Sequence, residues 1–236
     1  VRKDRTKYVN DKYNISIFDD FDLAIEQFKP DVFIISTPPG FHMNYAYYAF
    51  DKRIHCFIEA SVVDADKILT LSKKLEKTDI VIVPSCTMRF YSGPKKIKEL
   101  LNKGVIGKPL NYNYQTGQYL PDWHPWEDIA EFYVSKKETG GCREIVPFEL
   151  TWLNHIFGEP KPLFCVKRKL TDMSAPIDDI YHCILSYPDE LIGNLTVEVI
   201  SRPRATREFR LLGSDGQIIF NGDDNLLKYI NTSMDD

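Results

Sequence analysis

The chain has 236 residues, 43% of them apolar and 27% charged, with 30 basic against 34 acidic side chains for a formal charge of −4. That composition excludes collagen-like, disordered and disulfide-scaffold chains, and a chain this long buries roughly 70% of its unfolded surface. The acidic balance leaves no basic stripe for a nucleic acid, and no apolar run approaches the roughly 20 residues of a membrane helix, so neither nucleic acid nor membrane is expected as a partner.

The first residues, Val1-Arg2-Lys3-Asp4-Arg5, are charged and lead into no apolar stretch, which does not read as a signal peptide. Without an initiator methionine, the chain is expected to be a fragment or to follow earlier residues. A short helix is predicted from Asp22 to Phe28, with acidic residues at its start. Asp31 to Ser36 is a continuous apolar run, and a run apolar on both faces predicts a buried parallel strand. Met43 to Phe50 reads as a helix and His55 to Ile58 as the next strand. Asp64 is placed to cap a helix carrying Ile68, Leu71 and Leu75 on one face. Ile80 to Val83 is a third buried strand, stopped by Pro84. Strands and helices alternating at this spacing predict βαβ units and a parallel sheet.

Another helix follows, with Pro94 in its first turn, Ile97, Leu100 and Leu101 on one face, and Gly104 at its end. After Gly107 the apolar period changes from 3.6 to 2. Leu110, Tyr112 and Tyr114 alternate with polar residues, as do Leu191, Leu195, Val197 and Val199, and then Phe209 and Leu211. Pro188-Asp189-Glu190 and Gly213-Ser214-Asp215-Gly216 read as hairpin turns. One helix, from Phe148 to Phe157, interrupts this region and stops at Gly158. The expected fold is α/β: a parallel-sheet domain over residues 1–85, then an α+β domain with a mostly antiparallel sheet over residues 86–236. The five cysteines are scattered, odd in number and never spaced C-x-x-C, so they are expected to be reduced cytosolic thiols with no metal site.

Several segments carry chemistry. Ser36-Thr37-Pro38-Pro39-Gly40-Phe41-His42 lies at the carboxyl end of a predicted parallel strand, where open α/β sheets bind ligands; a plain βα turn is the alternative. In Asp122–Asp128, Trp123 and Trp126 flank His124. Flat apolar faces with a few polar groups suit a sugar ring, and an imidazole titrates near neutrality; a packing loop or an oligomer contact is the alternative. Glu144 and Glu149 are five apart across Pro147 and are expected to face each other only loosely. Either could accept a hydroxyl proton, or simply favour the start of a helix. Arg202, Arg204 and Arg207 cluster after an alternating strand, where the planar guanidinium fork suits carboxylate or phosphate; solvation or pairing with the chain's excess acid is the alternative for them, and Arg89 follows a strand end. His182, alternating within a strand, reads as a packed histidine, and His155, in the helix beside Trp152, as a structural one.

The order of these segments resembles one known family. Asp31–His42 resembles the D-V-V-x-I-x-T-P-P-x-x-H segment of the Gfo/Idh/MocA oxidoreductases, and Ala49–Ser61 their A-L-x-x-G-K-H-V-x-x-E-K-P stretch. Met88-Arg89-Phe90, Val105–Pro109, and Gly140-Gly141 with Trp152-Leu153 and Phe157-Gly158 resemble further family segments in the same order. The resemblance implies a partial Rossmann domain for a nicotinamide dinucleotide, NAD or NADP, followed by a substrate and oligomerisation domain. It places Ser36, Thr37, Pro38, Pro39, His42, Glu59 and Ala60 at the cofactor. It also shows departures. The family's G-x-G-x-x-G turn, which grips the pyrophosphate, does not occur in these residues, so weak or absent cofactor binding is expected of the chain as given. Ala60 stands where the family has its catalytic lysine, Glu144 near its aspartate and Phe148 near its histidine. The implied function is an NAD(P)-dependent oxidoreductase acting on a sugar or sugar nucleotide, with surface-glycan synthesis as a setting, in the cytoplasm. Glu144, His124 or Glu149 would serve as the acid–base group, and Arg89, Trp123, Trp126 and Arg143 would bind substrate. Homo-oligomers through the C-terminal sheet are expected. The alternative is a binding or assembly protein that kept the fold and lost the chemistry.

Overall fold

The computed structural model describes residues 3–60, 63–131 and 133–233. Helix α1 (Lys3–Tyr13) opens the chain with the polar sequence KDRTKYVNDKY, which carries no apolar stripe from which a helix could be predicted. In α2 (Phe21–Phe28) the Asp20 carboxylate accepts from the Leu23 N–H at 2.9 Å, fixing the N-terminus. Strands β1 (Val32–Ile35), β2 (His55–Ile58) and β3 (Ile82–Pro84) form a parallel sheet in that order, with Val32 beside His55 and Cys56 beside Ile82. Helix α3 (Pro39–Asp51) begins four residues before the expected Met43, because Pro39 fits the first helical position, where no N–H is needed. Helix α4 (Ala65–Leu75) starts after Asp64, which accepts from the Lys67 N–H.

The expectation of strands buried on both faces holds for one face only. Phe33, Ile35, Cys56 and Ile58 pack with Met43, Ala46, Ala49 and Leu71 in one apolar cluster. Strand alternation then turns Val32, Ile34, Phe57 and Val83 to the opposite face, where they are exposed. The helices α2, α3 and α4 contribute to that single cluster, which leaves the other face bare among the described residues. Strand β3 also starts two residues later than expected and takes in Pro84 as its last residue.

The 3₁₀ turn Thr87–Phe90 and helix α5 (Ser92–Asn102) lead into a seven-stranded sheet. Its strands are β4 (Pro109–Gly117), β5 (Lys161–Arg168), β6 (Ile180–Ser186), β7 (Ile192–Glu198), β8 (Thr206–Gly213), β9 (Gly216–Asn221) and β10 (Leu226–Asn231). Their spatial order is β10-β9-β8-β4-β7-β6-β5, and every pair is antiparallel except β4 with β7. Tyr112, Tyr114, Leu195, Val197, Phe209, Leu211 and Ile218 face the core, where Trp152 of α6 (Cys142–Phe157) packs among them. Leu110 breaks the expected alternation and is exposed, because a register shift between Pro109 and Asn111 moves it off that face. His182 is likewise not packed: it lies on the open face, with Nδ1 2.9 Å from Thr196 Oγ1.

Helix α6 starts at Cys142, six residues before the expected Phe148, and contains Pro147. The sequence suggests a break at the proline, but Pro147 removes only one hydrogen bond early in a helix of 16 residues that apolar packing holds in place. The entry into α6 depends on two glycines. Gly141 has φ +58, and a side chain at Gly140 would overlap the Val134 carbonyl.

Candidate functional site

The carboxyl ends of β2 and β4, the start of β8 and the first half of α6 enclose a cavity of about 270 Å³. Ala60 follows β2, Thr116 and Gly117 end β4, Arg207 opens β8, and Glu144, Phe148 and Glu149 project from α6. Trp123 comes from the loop after β4, and Asp223 from the turn between β9 and β10. Five residues along a helix correspond to about 140° of rotation, so Glu144 and Glu149 leave α6 on different flanks. Both nevertheless line this one cavity.

The two carboxylates have different surroundings. Glu149 is completely buried, and its Oε2 accepts from the Tyr114 hydroxyl at 2.7 Å and from Trp152 Nε1 at 2.8 Å. Arg207 donates to both Glu149 oxygens, at 2.9 and 3.1 Å, and also bonds the Tyr114 hydroxyl. Burial, reinforced by Glu149, pushes the Tyr114 phenol well above its ordinary pKa, so it remains a donor. Glu144 accepts from the Tyr133 hydroxyl at 3.1 Å. Burial, and then the Glu144 charge, raises the Tyr133 phenol as well. The Trp123 indole N–H is buried at this cavity with no partner among the described residues.

His124 and Trp126 lie outside this cavity. They line an adjacent, wider depression with Pro38, Phe41 and Lys136, in which the imidazole packs on the Trp126 ring and contacts Glu127 at 3.1 Å. Tyr133 also lines that depression, so it stands between His124 and Glu144. Arg143 turns back and donates to the Val63 carbonyl at 3.0 Å, tying α6 to the loop after β2. Arg89 points away from the cavity, with NH2 2.9 Å from His155 Nδ1.

At the end of β1, Ser36 donates to Glu59 Oε2 at 2.6 Å. His42 is buried and holds the Thr37 carbonyl at 2.6 Å through Nε2, which places its proton there and leaves Nδ1 a bare acceptor. Burial lowers the His42 pKa, against opposing effects of the Thr37 carbonyl and the Glu59 charge. His42 Nδ1 and Thr37 Oγ1 are buried with no partner among the described residues. Pro38 and Pro39 form the start of α3. The sequence thus located Glu144, Glu149, Trp123 and Ala60, which the fold brings to one cavity. It singled out Arg207 only as one of three clustered arginines, and it missed Thr116, Gln118 and Asp223. Strand ends and a hairpin turn carry no motif, so these three had no signal to find.

Comparisons with known proteins agree with this architecture. The family model for the GFO/IDH/MocA C-terminal domain matches residues 95–219, more than half of the chain. Among curated proteins no relative is found. The WlbA dehydrogenase from Bordetella pertussis, solved with NADH and UDP-GlcNAcA, superposes with a TM-score of 0.85 at 13% identity, covering 98% of this chain and 71% of that one. Levoglucosan dehydrogenase with NADH and levoglucosan gives 0.83 at 16% identity, covering 98% and 65%. An NAD binding oxidoreductase from Klebsiella pneumoniae gives 0.82 at 14% identity, also covering 98% and 65%. The chain therefore spans about two thirds of the length of these structures, and identities this low establish a shared fold.

Proposed function

This chain belongs to the Gfo/Idh/MocA family, and from that premise we propose that it is an NAD(P)-dependent oxidoreductase whose sugar or sugar-nucleotide substrate binds beside Glu144. The observation that carries the proposal is the cavity itself. It gathers Ala60, Glu144 and Phe148, the positions that the resemblance equates with the family's lysine, aspartate and histidine, together with Trp123 and Arg207. The related structures solved with NADH, levoglucosan and UDP-GlcNAcA support the same classes of cofactor and substrate. In this reading residues 1–85 serve the cofactor and residues 86–236 the substrate.

The buried, unpartnered Thr37 Oγ1 and His42 Nδ1 fit a polar ligand group at the end of β1. Ser36, Thr37, Pro38, Pro39, His42 and Glu59 would hold a nicotinamide dinucleotide there, and that group when bound supplies the hydride acceptor. Because no G-x-G-x-x-G turn occurs in these residues, weak cofactor binding belongs to the same proposal. The chain's own part is to orient the substrate and move its proton. Trp123 offers an indole N–H to a hydroxyl. The Glu144 carboxylate takes the hydroxyl proton, and Tyr133 holds that carboxylate in place. Glu149, with its oxygens already occupied, fixes Arg207 in the cavity wall. His124 and Trp126 extend the site into the adjacent depression toward the rest of a sugar nucleotide. Homo-oligomers through the open face of the large sheet, a cytoplasmic location and a role in surface-glycan synthesis complete the reading. No described helix is long and apolar enough to cross a membrane.

The test is turnover of a panel of sugars and sugar nucleotides with NAD and with NADP. Glu144→Gln is expected to lower turnover at least about 10²-fold with the fold intact, and near-normal turnover would sink the assignment. Ala60 and Phe148 favour a second reading, a binding protein without chemistry, since neither can carry a proton or a charge. Saturable binding of sugar nucleotides without turnover in the unaltered protein would support it.

A further inference from the structure

Helices α5 and α6 and the 3₁₀ turn Thr87–Phe90 enclose a separate depression of about 280 Å³ that shares no lining residue with the cavity at Glu144. Arg89, Lys95, Lys98 and His155 line it above an apolar floor that includes Trp152. The groups facing His155 are unusual. Its Nδ1 lies 2.9 Å from the Arg89 guanidinium and its Nε2 2.8 Å from the Lys98 ammonium. Both cations only donate hydrogen bonds, whereas a neutral imidazole accepts at one nitrogen and carries a proton on the other. One of the two cations therefore faces an N–H. Protonating the ring would worsen the conflict, and burial together with Arg89 and Lys98 holds His155 below its ordinary pKa.

Two further observations point the same way. Arg89 Nε is buried with no partner among the described residues. Glu99, the one carboxylate on the lining, is already held by Lys96 at 3.0 Å and Lys103 at 2.6 Å. Lys98 reaches the His155 carbonyl at 3.2 Å, the ordinary use of a cation at a helix C-terminus. That contact does not account for the guanidinium on the other side of the ring, nor for Lys95, which sits over the Phe90 ring. Positive charge is thus concentrated here in a chain whose formal charge is −4.

We propose that this depression binds a phosphate group, presented by inorganic phosphate or by a small phosphomonoester. A tetrahedral dianion would accept from the forked guanidinium and from the ammonium at once. It would also accept from the imidazole N–H, which removes the donor–donor conflict. The site is independent of the oxidoreductase reading, and its test needs no turnover. The 236-residue chain is titrated with inorganic phosphate and with phenyl phosphate at ionic strength held constant with chloride, using calorimetry and the imidazole NMR signals of His155. Saturable binding is expected, with the pKa of His155 rising as phosphate binds. Lys98→Gln should weaken binding about tenfold or more, and Lys95→Gln less, with unchanged melting curves showing that both variants fold. Phenyl phosphate binding about tenfold more tightly than inorganic phosphate would identify a monoester as the ligand, and equal binding the free ion. The proposal is overturned if phosphate at millimolar concentration does no more than chloride, if His155 does not respond, or if Lys98→Gln binds as well as the unaltered chain.

Discussion

Replacing Glu149 by glutamine tests whether the buried carboxylate holds the cavity wall. The residue is wholly buried, and Arg207 beside it keeps only a quarter of its side chain exposed. Four donated hydrogen bonds, from Tyr114, Trp152 and twice from Arg207, converge on its two oxygens. Glutamine keeps the shape but turns one acceptor into a donor that faces other donors, and it leaves the guanidinium without its counter-charge. Removing one partner of a buried ion pair costs about 3–5 kcal/mol, and the partial exposure of Arg207 places this case near about 3. At roughly 2–4 °C per kcal/mol for a chain of this size, the melting temperature should fall by about 6–12 °C. Urea unfolding of Glu149→Gln, Arg207→Met and the double variant provides the assay. The double variant should recover much of the loss, since no charge is then left without a partner. A cost below about 1 kcal/mol for Glu149→Gln, or fully additive effects, would refute the reasoning.

Three further outcomes are expected. Gly140→Ala should destabilise the chain by at least about 1–3 kcal/mol, read from the urea midpoint, because the new methyl overlaps the Val134 carbonyl where α6 begins. Burial lowers His42 from its ordinary 6.5. Below that pH the unfolded chain takes up a proton that the folded chain refuses, so stability should fall as pH drops through 6.5, and a pH series on His42→Gln should show a shallower slope. Ile34 is 77% exposed on the bare face of the small sheet. Ile34→Lys should change stability by less than about 0.5 kcal/mol and reduce self-association in light scattering.

How far the sequence could be read depended on whether a signal was local. Strand β2 matches its predicted span because the apolar residues Cys56-Phe57-Ile58 lie between the turn at Lys52-Arg53 and the charged Glu59. The alternation of Leu195, Val197 and Val199, and of Phe209 and Leu211, identified the core face of the large sheet, since a strand buried on one side imposes that period. The burial of β1 and β3 was legible on one face only. Apolar side chains on both sides of a strand record what it can pack against, and α2, α3 and α4 share one face. Pro147 misplaced the start of α6 because proline removes a single hydrogen bond, while the packing of Trp152 and Leu153 holds the whole helix. At the site, Glu144 and Trp123 were found as unusual residues in sequence. The partnership of Glu149 with Arg207 joins positions 58 residues apart, and only the register of β4 with β8 brings Tyr114 and Arg207 together.

The central strand of the large sheet has a consequence for how the molecule assembles. Strand β4 is made early, but both of its neighbours come late in the chain: Asn111 bonds Ile192, 81 residues further on, and Arg207 of β8 follows later still. At about 5–20 residues per second, a ribosome takes roughly 4–16 s to extend the chain from β4 to β7. For that interval Tyr112 and Tyr114 have no partner strand, and closing so long a loop is the slow kind of step in a fold of high contact order. The three described strands of the small parallel sheet are all made by Pro84 and can pair before any of this. The cavity at Glu144 includes Arg207 and Asp223, so it exists only after the last hairpin has joined β8.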